Sequence, residues 1–167
     1  MQLHLKLKNT FGIFLLSASL LTISCGNKTD KAKEAPTQGR ALEFPNTLTF
    51  IHNNGSEIST LRYASAATPD ERNQGLMNVR SMPQDAGMVF FFDVAEEQSF
   101  WMVNTILPLD IIYVGADSTI VSIYHSTTPF SDKSLPSGKP AKFVVETNGG
   151  YSINYDIKEG NKIRFNN

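Results

Sequence analysis

Residues 86–114 read AGMVFFFDVAEEQSFWMVNTILPLDIIYV, and two runs inside them, Met88–Phe92 and Asp110–Val114, are apolar at all or nearly all positions. Runs of this length without alternation suit β-strands covered on both faces, because a strand with one wet face carries polar residues at every second position. Between them Ser99–Met102 predicts a further short strand, in which Phe100 and Met102 point opposite to Trp101 and Val103. Asn104–Pro108 predicts a turn.

Toward the N-terminus, Leu48–Ile51 predicts a strand, Asn53-Asn54-Gly55 its turn, and Ile58–Ala66 the returning strand of a hairpin. The period then changes. Thr68-Pro69-Asp70-Glu71 holds Thr at an N-cap, Pro at the first helical position and Glu three residues after the cap, a capping box that predicts a short helix to about Val79. At helical spacing Arg72, Gly75, Leu76 and Val79 share one face, so Arg72 lies beside the apolar side. Toward the C-terminus, Ile120–Tyr124, Phe143–Glu146 and Lys162–Phe165 predict three more strands. Ser126–Pro140 (STTPFSDKSLPSGKP), with three prolines, predicts a 15-residue loop, long enough to serve as a lid or binding loop. The fold expected is mainly β, a β-rich α+β domain over residues 41–167. It is compact and barrel-like, with about seven to eight short strands and one or two short helices.

Composition limits the function. A chain of 167 residues with 41% hydrophobic and 19% charged residues supports one globular core. Its 15 basic and 16 acidic residues nearly cancel, which excludes the basic excess of a nucleic-acid binder. One Cys excludes an intrachain disulfide framework. Beyond the leader only His52 and His125 remain among the histidines, so neither a metal site nor a cofactor is expected.

Residues 1–24 carry Lys6 and Lys8 ahead of a 13-residue apolar stretch, Phe11–Ile23, and no acidic residue. This is the layout of a signal peptide, and the stretch falls well short of the roughly 20 apolar residues that a membrane span needs. It ends Leu21-Thr22-Ile23-Ser24-Cys25-Gly26, which resembles a bacterial lipobox, with small Ser24 before the cysteine. That resemblance implies cleavage before Cys25, lipidation of its sulfur and acylation of its new amino terminus. Two or more acyl chains, each worth roughly 0.8 kcal/mol per buried methylene, give a stable membrane anchor. The rival reading is a soluble secreted protein with Cys25 as a free thiol. Loss of Lys6 and Lys8 with the leader leaves 13 basic against 16 acidic residues, a formal charge of −3, so anionic lipid would not hold the domain electrostatically. From Gly26 to Arg40 the chain is polar and reads as a flexible tether, completing a segment 25–40 that could extend to roughly 50 Å. Gly26 follows the cysteine where the enteric inner-membrane retention signal has Asp. The expectation is therefore a cell-envelope location in the outer membrane, with a periplasmic domain.

Several segments together resemble a known family. These are Ala66-x-Thr68-Pro69-x-Glu71-Arg72-x-x-Gly75-Leu76-Met77, Gly87-Met88-x-Phe90-x-Phe92, Phe100-Trp101-Met102-x-Asn104-Thr105-x-x-Pro108-Leu109-Asp110-Ile111 and Val145-Glu146. They resemble DUF192, a small-domain family of unknown function, over about residues 48–165. The resemblance implies a compact, mainly β, barrel-like domain with a few short helices, and no particular reaction. Where the family commonly has Lys, this chain has Val103, so no ammonium stands there.

Four of these positions, Arg72, Asn104, Asp110 and Glu146, are polar within or beside apolar elements. A buried charge needs a partner, because desolvation costs several kcal/mol per ion. One reading is structural: Arg72 bridges to Asp110 or Glu146, Asn104 bonds turn backbone, Glu71 serves the capping box and Trp101 fills the core. The other gathers Arg72, Trp101, Asn104, Asp110 and Glu146 at a pocket for a small ligand, such as a sugar, or for an envelope partner. Two further alternatives stand beside it: an envelope hydrolase with Asp110 and Glu146 as paired carboxylates, and a structural or assembly factor without a pocket. No Gly-x-Ser-x-Gly motif or phosphate-cradling loop is present.

Overall fold

The computed structural model describes residues 39–166, so the leader, Cys25 and most of the tether lie outside the described residues. Seven strands and two short helices follow in order: β1 (Asn46–Ile51), β2 (Glu57–Ala66), α1 (Pro69–Gln74), β3 (Ala86–Phe100), β4 (Leu109–Val114), β5 (Ile120–Tyr124), β6 (Leu135–Asn148), α2 (Tyr151–Asn154) and β7 (Lys162–Asn166).

The strands form one sheet in the order β5-β4-β6-β3-β2-β1-β7. All neighbours are antiparallel except β2 and β3, which run parallel because α1 carries the chain across between them. The two ends of the sheet approach each other. Thr119, just before β5, bridges to Lys162 of β7, and the Ile120 and Ile163 amides donate to the Asn161 and Ser118 carbonyls at 2.8 and 2.9 Å. The sheet therefore curls into a half-barrel, as the mainly β, barrel-like expectation required.

Both faces are buried. The inner core draws on every strand, with Phe50, Leu61, Val89, Ile112, Ile120, Val145 and Ile163 at its centre. The outer core stacks Ala66, Met88, Phe90, Ile111, Tyr113 and Val144 under Leu76, Val79, Met82 and Met102 from the connecting segments. Successive residues of β3, β4 and β6 thus serve two different cores, which is why MVFFF and DIIYV show no polar alternation.

Three boundaries differ from the sequence reading. The helix stops at Gln74 rather than near Val79, because Gly75 takes φ 42° and leaves the helix there. A Cβ on Gly75 would also lie 3.2 Å from Phe90 Cζ, so the chain approaches that ring closely. Met88–Phe92 and Ser99–Met102 are not separate strands. The first lies within β3, which continues to Phe100 with its register against β6 shifting between Phe91 and Glu96 and again between Glu97 and Ser99. The long loop ends at Ser134, because Leu135–Pro140 is already strand. Pro136 and Pro140 are tolerated since β4 pairs only with Phe143–Asn148, leaving the first half of β6 with a ladder on its β3 side alone.

Candidate functional site

The α1 capping box fixes one wall of the site. Glu71 Oε2 accepts from the Ala67 and Thr68 amides at 2.9 and 2.8 Å, and Thr68 Oγ1 accepts from the Glu71 amide at 3.3 Å. These hydrogen bonds hold the Glu71 carboxyl below its ordinary range. With the helix start pinned, Arg72 lies across the end of β2 and the middle of β3. Its Nη1 donates to the carbonyls of Ala67 and Phe91, and its guanidinium sits 5.1 Å from the centre of the Phe92 ring. Among the described residues no carboxylate pairs with Arg72, so the bridge to Asp110 or Glu146 does not form.

Between α1 and the end of β3 lies a pocket of about 210 Å³. Phe90, Phe92 and Phe100 form apolar walls, Arg72 and Trp101 line it, and Gln98, Thr105 and Glu146 supply polar groups. Phe90 and Phe100 meet edge to face at 4.9 Å, which makes that wall rigid. Trp101 is 57% exposed, so the core-filling reading of this residue is wrong. The irregular register near the end of β3 precedes Trp101, and the backbone there is held by the Met102 amide bonding Ser131 O at 2.9 Å.

Glu146 stands in the middle of β6, with Met88 and Ile111 as its cross-strand neighbours. It is 4% exposed, and its Oε2 is buried without a hydrogen-bond partner. Burial pushes its carboxyl up to about 8, so near neutral pH it is mostly protonated. Burial and the Glu146 charge likewise push the Tyr113 phenol up, and its hydroxyl donates to Leu135 O. Gln98, 9% exposed, repeats the pattern: its Nε2 is buried without a partner. Sequence reasoning missed Gln98, because a polar residue after Glu96-Glu97 looks like part of a solvated connection.

Asp110 does something different. It is 0% exposed and accepts four hydrogen bonds, from the amides of Ser126, Gly150 and Ser152 at 2.7, 2.8 and 2.8 Å and from Ser152 Oγ at 2.5 Å. One carboxylate thus ties β4 to the start of the loop after β5 and to the turn that enters α2. Because Ile111, not Asp110, pairs with Glu146, alternation along β4 sends the two carboxylates to opposite faces of the sheet. They cannot flank one scissile bond, and the paired-carboxylate hydrolase falls on this geometry. His125 Nδ1 lies 2.8 Å from Ser152 Oγ. That hydroxyl is fully buried and aimed at Asp110, so the set offers no accessible nucleophile.

Asn104 also stays outside the pocket. It is exposed, takes φ 57° in a turn closed by the Thr105 amide on Met102 O at 3.0 Å, and accepts from the Asn78 amide at 2.9 Å through its own carbonyl. Of the five residues expected to converge, the structure brings together Arg72, Trp101 and Glu146, adds Gln98, and leaves out Asn104 and Asp110.

Solved structures share this fold, two of them at about 30% identity. One, described as a "putative transcription regulator" from Sinorhizobium meliloti 1021, superposes with a TM-score of 0.70 at 30% identity, over 75% of this chain and 98% of that one. The other, a protein of unknown function from Novosphingobium aromaticivorans DSM 12444, gives a TM-score of 0.68 at 29% identity, over 77% of this chain and 94% of that one. Among curated proteins no relative matches. The family model for DUF192, described as "Uncharacterized ACR", matches residues 50–165. With that match spanning nearly all of the described domain, the chain belongs to the DUF192 family.

Proposed function

We propose that the protein is a lipid-anchored protein of the bacterial envelope whose β domain binds a small ligand in the pocket beside Trp101. One observation carries the binding reading: Glu146 Oε2 and Gln98 Nε2, both on residues lining this pocket, are buried without partners. A buried polar atom left unpaired costs about 1–3 kcal/mol, and native domains hold few of them. Two on residues lining one pocket, which an exposed tryptophan also lines, are the groups a ligand would satisfy. The near-balance of 15 basic and 16 acidic residues gives no support to nucleic acid as the partner.

A thermal-shift screen of small polar metabolites tests the pocket. Ligands that raise the melting temperature of the native protein are expected to lose that effect in Trp101→Ala, with the unliganded variant still melting cooperatively. Retention of every ligand-induced shift in Trp101→Ala would place binding elsewhere.

The anchor rests on the lipobox-like Leu21–Gly26 stretch and the leader before it. Gly26 after the cysteine favours the outer membrane, with the domain in the periplasm. In cell fractionation the native protein is expected in the membrane and Cys25→Ser in the soluble fraction; membrane retention of Cys25→Ser would refute the anchor.

A further inference from the structure

We propose that the pocket takes a neutral hydroxylated ring, a pyranose, laid with its apolar face on the Trp101 indole and with hydroxyls turned toward Gln98 and Glu146. The proposal rests on the pocket being a ligand site and names its ligand class.

The lining separates into two kinds of surface. Trp101 is a large aromatic, 57% exposed, continuing the wall made by Phe90, Phe92 and Phe100. A flat apolar face on the ligand is needed to cover it. The buried Gln98 and Glu146 offer the opposite chemistry, an amide donor and a carboxyl oxygen, both unpaired. A hydroxyl donates and accepts at once, so neighbouring hydroxyls on one ring edge can satisfy both groups. A pyranose has one C–H face and a hydroxylated edge, which matches that division.

Charge argues against a cationic ligand. A buried ammonium would require an ionised Glu146, which its burial between Met88 and Ile111 opposes. Tyr113 from β4 interacts electrostatically with that carboxyl and Arg72 lines the same pocket, and neither supplies a second negative charge. An anion would look to Arg72: its Nη1 is committed to the Ala67 and Phe91 carbonyls and its plane to the Phe92 ring, which leaves Nε and Nη2 to an anion, and acetate is the competing arm of the test.

Trp101 is the only tryptophan in the chain, so its emission reports directly on this surface. The full-length protein in detergent is titrated with N-acetylglucosamine, glucose, methylammonium and acetate, each into the millimolar range, while Trp101 emission is followed. A saturable change is expected with at least one of the two sugars. The apparent affinity should fall at least tenfold in Gln98→Leu and in Glu146→Leu, with near-ultraviolet circular dichroism showing the native packing of both variants. Saturable binding of methylammonium or acetate, with none for either sugar, overturns the pyranose assignment and leaves the pocket standing as a ligand site. A sugar response unchanged in both variants overturns the assignment as well. If no compound of the four alters the emission, the pyranose assignment fails; the pocket itself then stands or falls on the thermal-shift screen.

Discussion

Substitution Glu146→Gln removes one ionisable group from the middle of β6 and changes little else in size, so its effect on stability against pH can be worked out in advance. The carboxyl titrates near its ordinary value of 4.5 in the unfolded chain and at about 8 in the folded one. Below 4.5 it is protonated in both states, and its contribution is fully present. As pH rises from there, the unfolded chain releases the proton and the folded one keeps it, so stability falls by about 1.4 kcal/mol per pH unit until the folded group also ionises near 8. Over the whole window the loss approaches about 5 kcal/mol as an upper bound, since relaxation and water entry soften the burial. Glu71, Asp85 and Asp117 have lowered values and act with the opposite sign. Their contributions are present above the ordinary carboxylate range and lost below it, so they leave pH 5 to 8 to Glu146. Equilibrium urea unfolding of both proteins at pH 5, 6, 7 and 8 reads the effect. The native protein should lose up to about 4 kcal/mol across that series at constant m-value, about 15 °C in melting temperature for a domain of this size, whereas Glu146→Gln stays nearly flat. Parallel slopes for the two proteins would refute the buried, unpaired carboxyl.

Other substitutions separate the structural residues from the pocket. Asp110→Ala leaves the amides of Ser126, Gly150 and Ser152 without their acceptor and should destabilise by about 3 kcal/mol or more, read from the urea midpoint. Hydrogen exchange should show the same loss locally, with amide protection falling first at Gly150 and Ser152. Thr68→Ala removes one half of the capping box and should cost about 1 kcal/mol in chemical denaturation. Gly75→Ala forces a side chain into φ 42° against the Phe90 ring and should destabilise by more than about 1 kcal/mol, seen as a lower melting temperature. Gln98→Leu should do the reverse, raising the melting temperature while weakening ligand binding at least tenfold, because it removes a buried amide nitrogen that has no hydrogen-bond partner in the fold.

What could be read in advance followed from local chemistry. Thr68-Pro69-Asp70-Glu71 specifies a helix start by its own hydrogen bonds, and the capping box forms as written. The β1–β2 hairpin, with Gly55 at φ 87°, and the doubly covered β4 needed only neighbouring residues and their period. The failures came where distant pairing decides. Strand geometry alone sends Asp110 and Ile111 to opposite faces of β4, but which of them shares a face with Glu146 follows only from the β4–β6 register, which pairs Ile111 with Glu146. Pro136 and Pro140 looked like loop residues because their tolerance depends on β4 stopping short of them. Gln98 and Ser152 gave no signal, since each acquires its role from a partner far away in sequence or from the want of one.

The division of labour between a pocket at Trp101 and a structural knot at Asp110 is tested most directly by amide and side-chain chemical-shift mapping. The compound with the largest thermal shift is added to the isotope-labelled protein. The account predicts that the Trp101 indole N–H, the Gln98 side-chain amide and the Thr105 backbone amide move together and saturate, with Gly150 and Ser152 unmoved. Shifts centred on Ser126, Gly150 and Ser152, or none at Trp101 and Gln98, would contradict it.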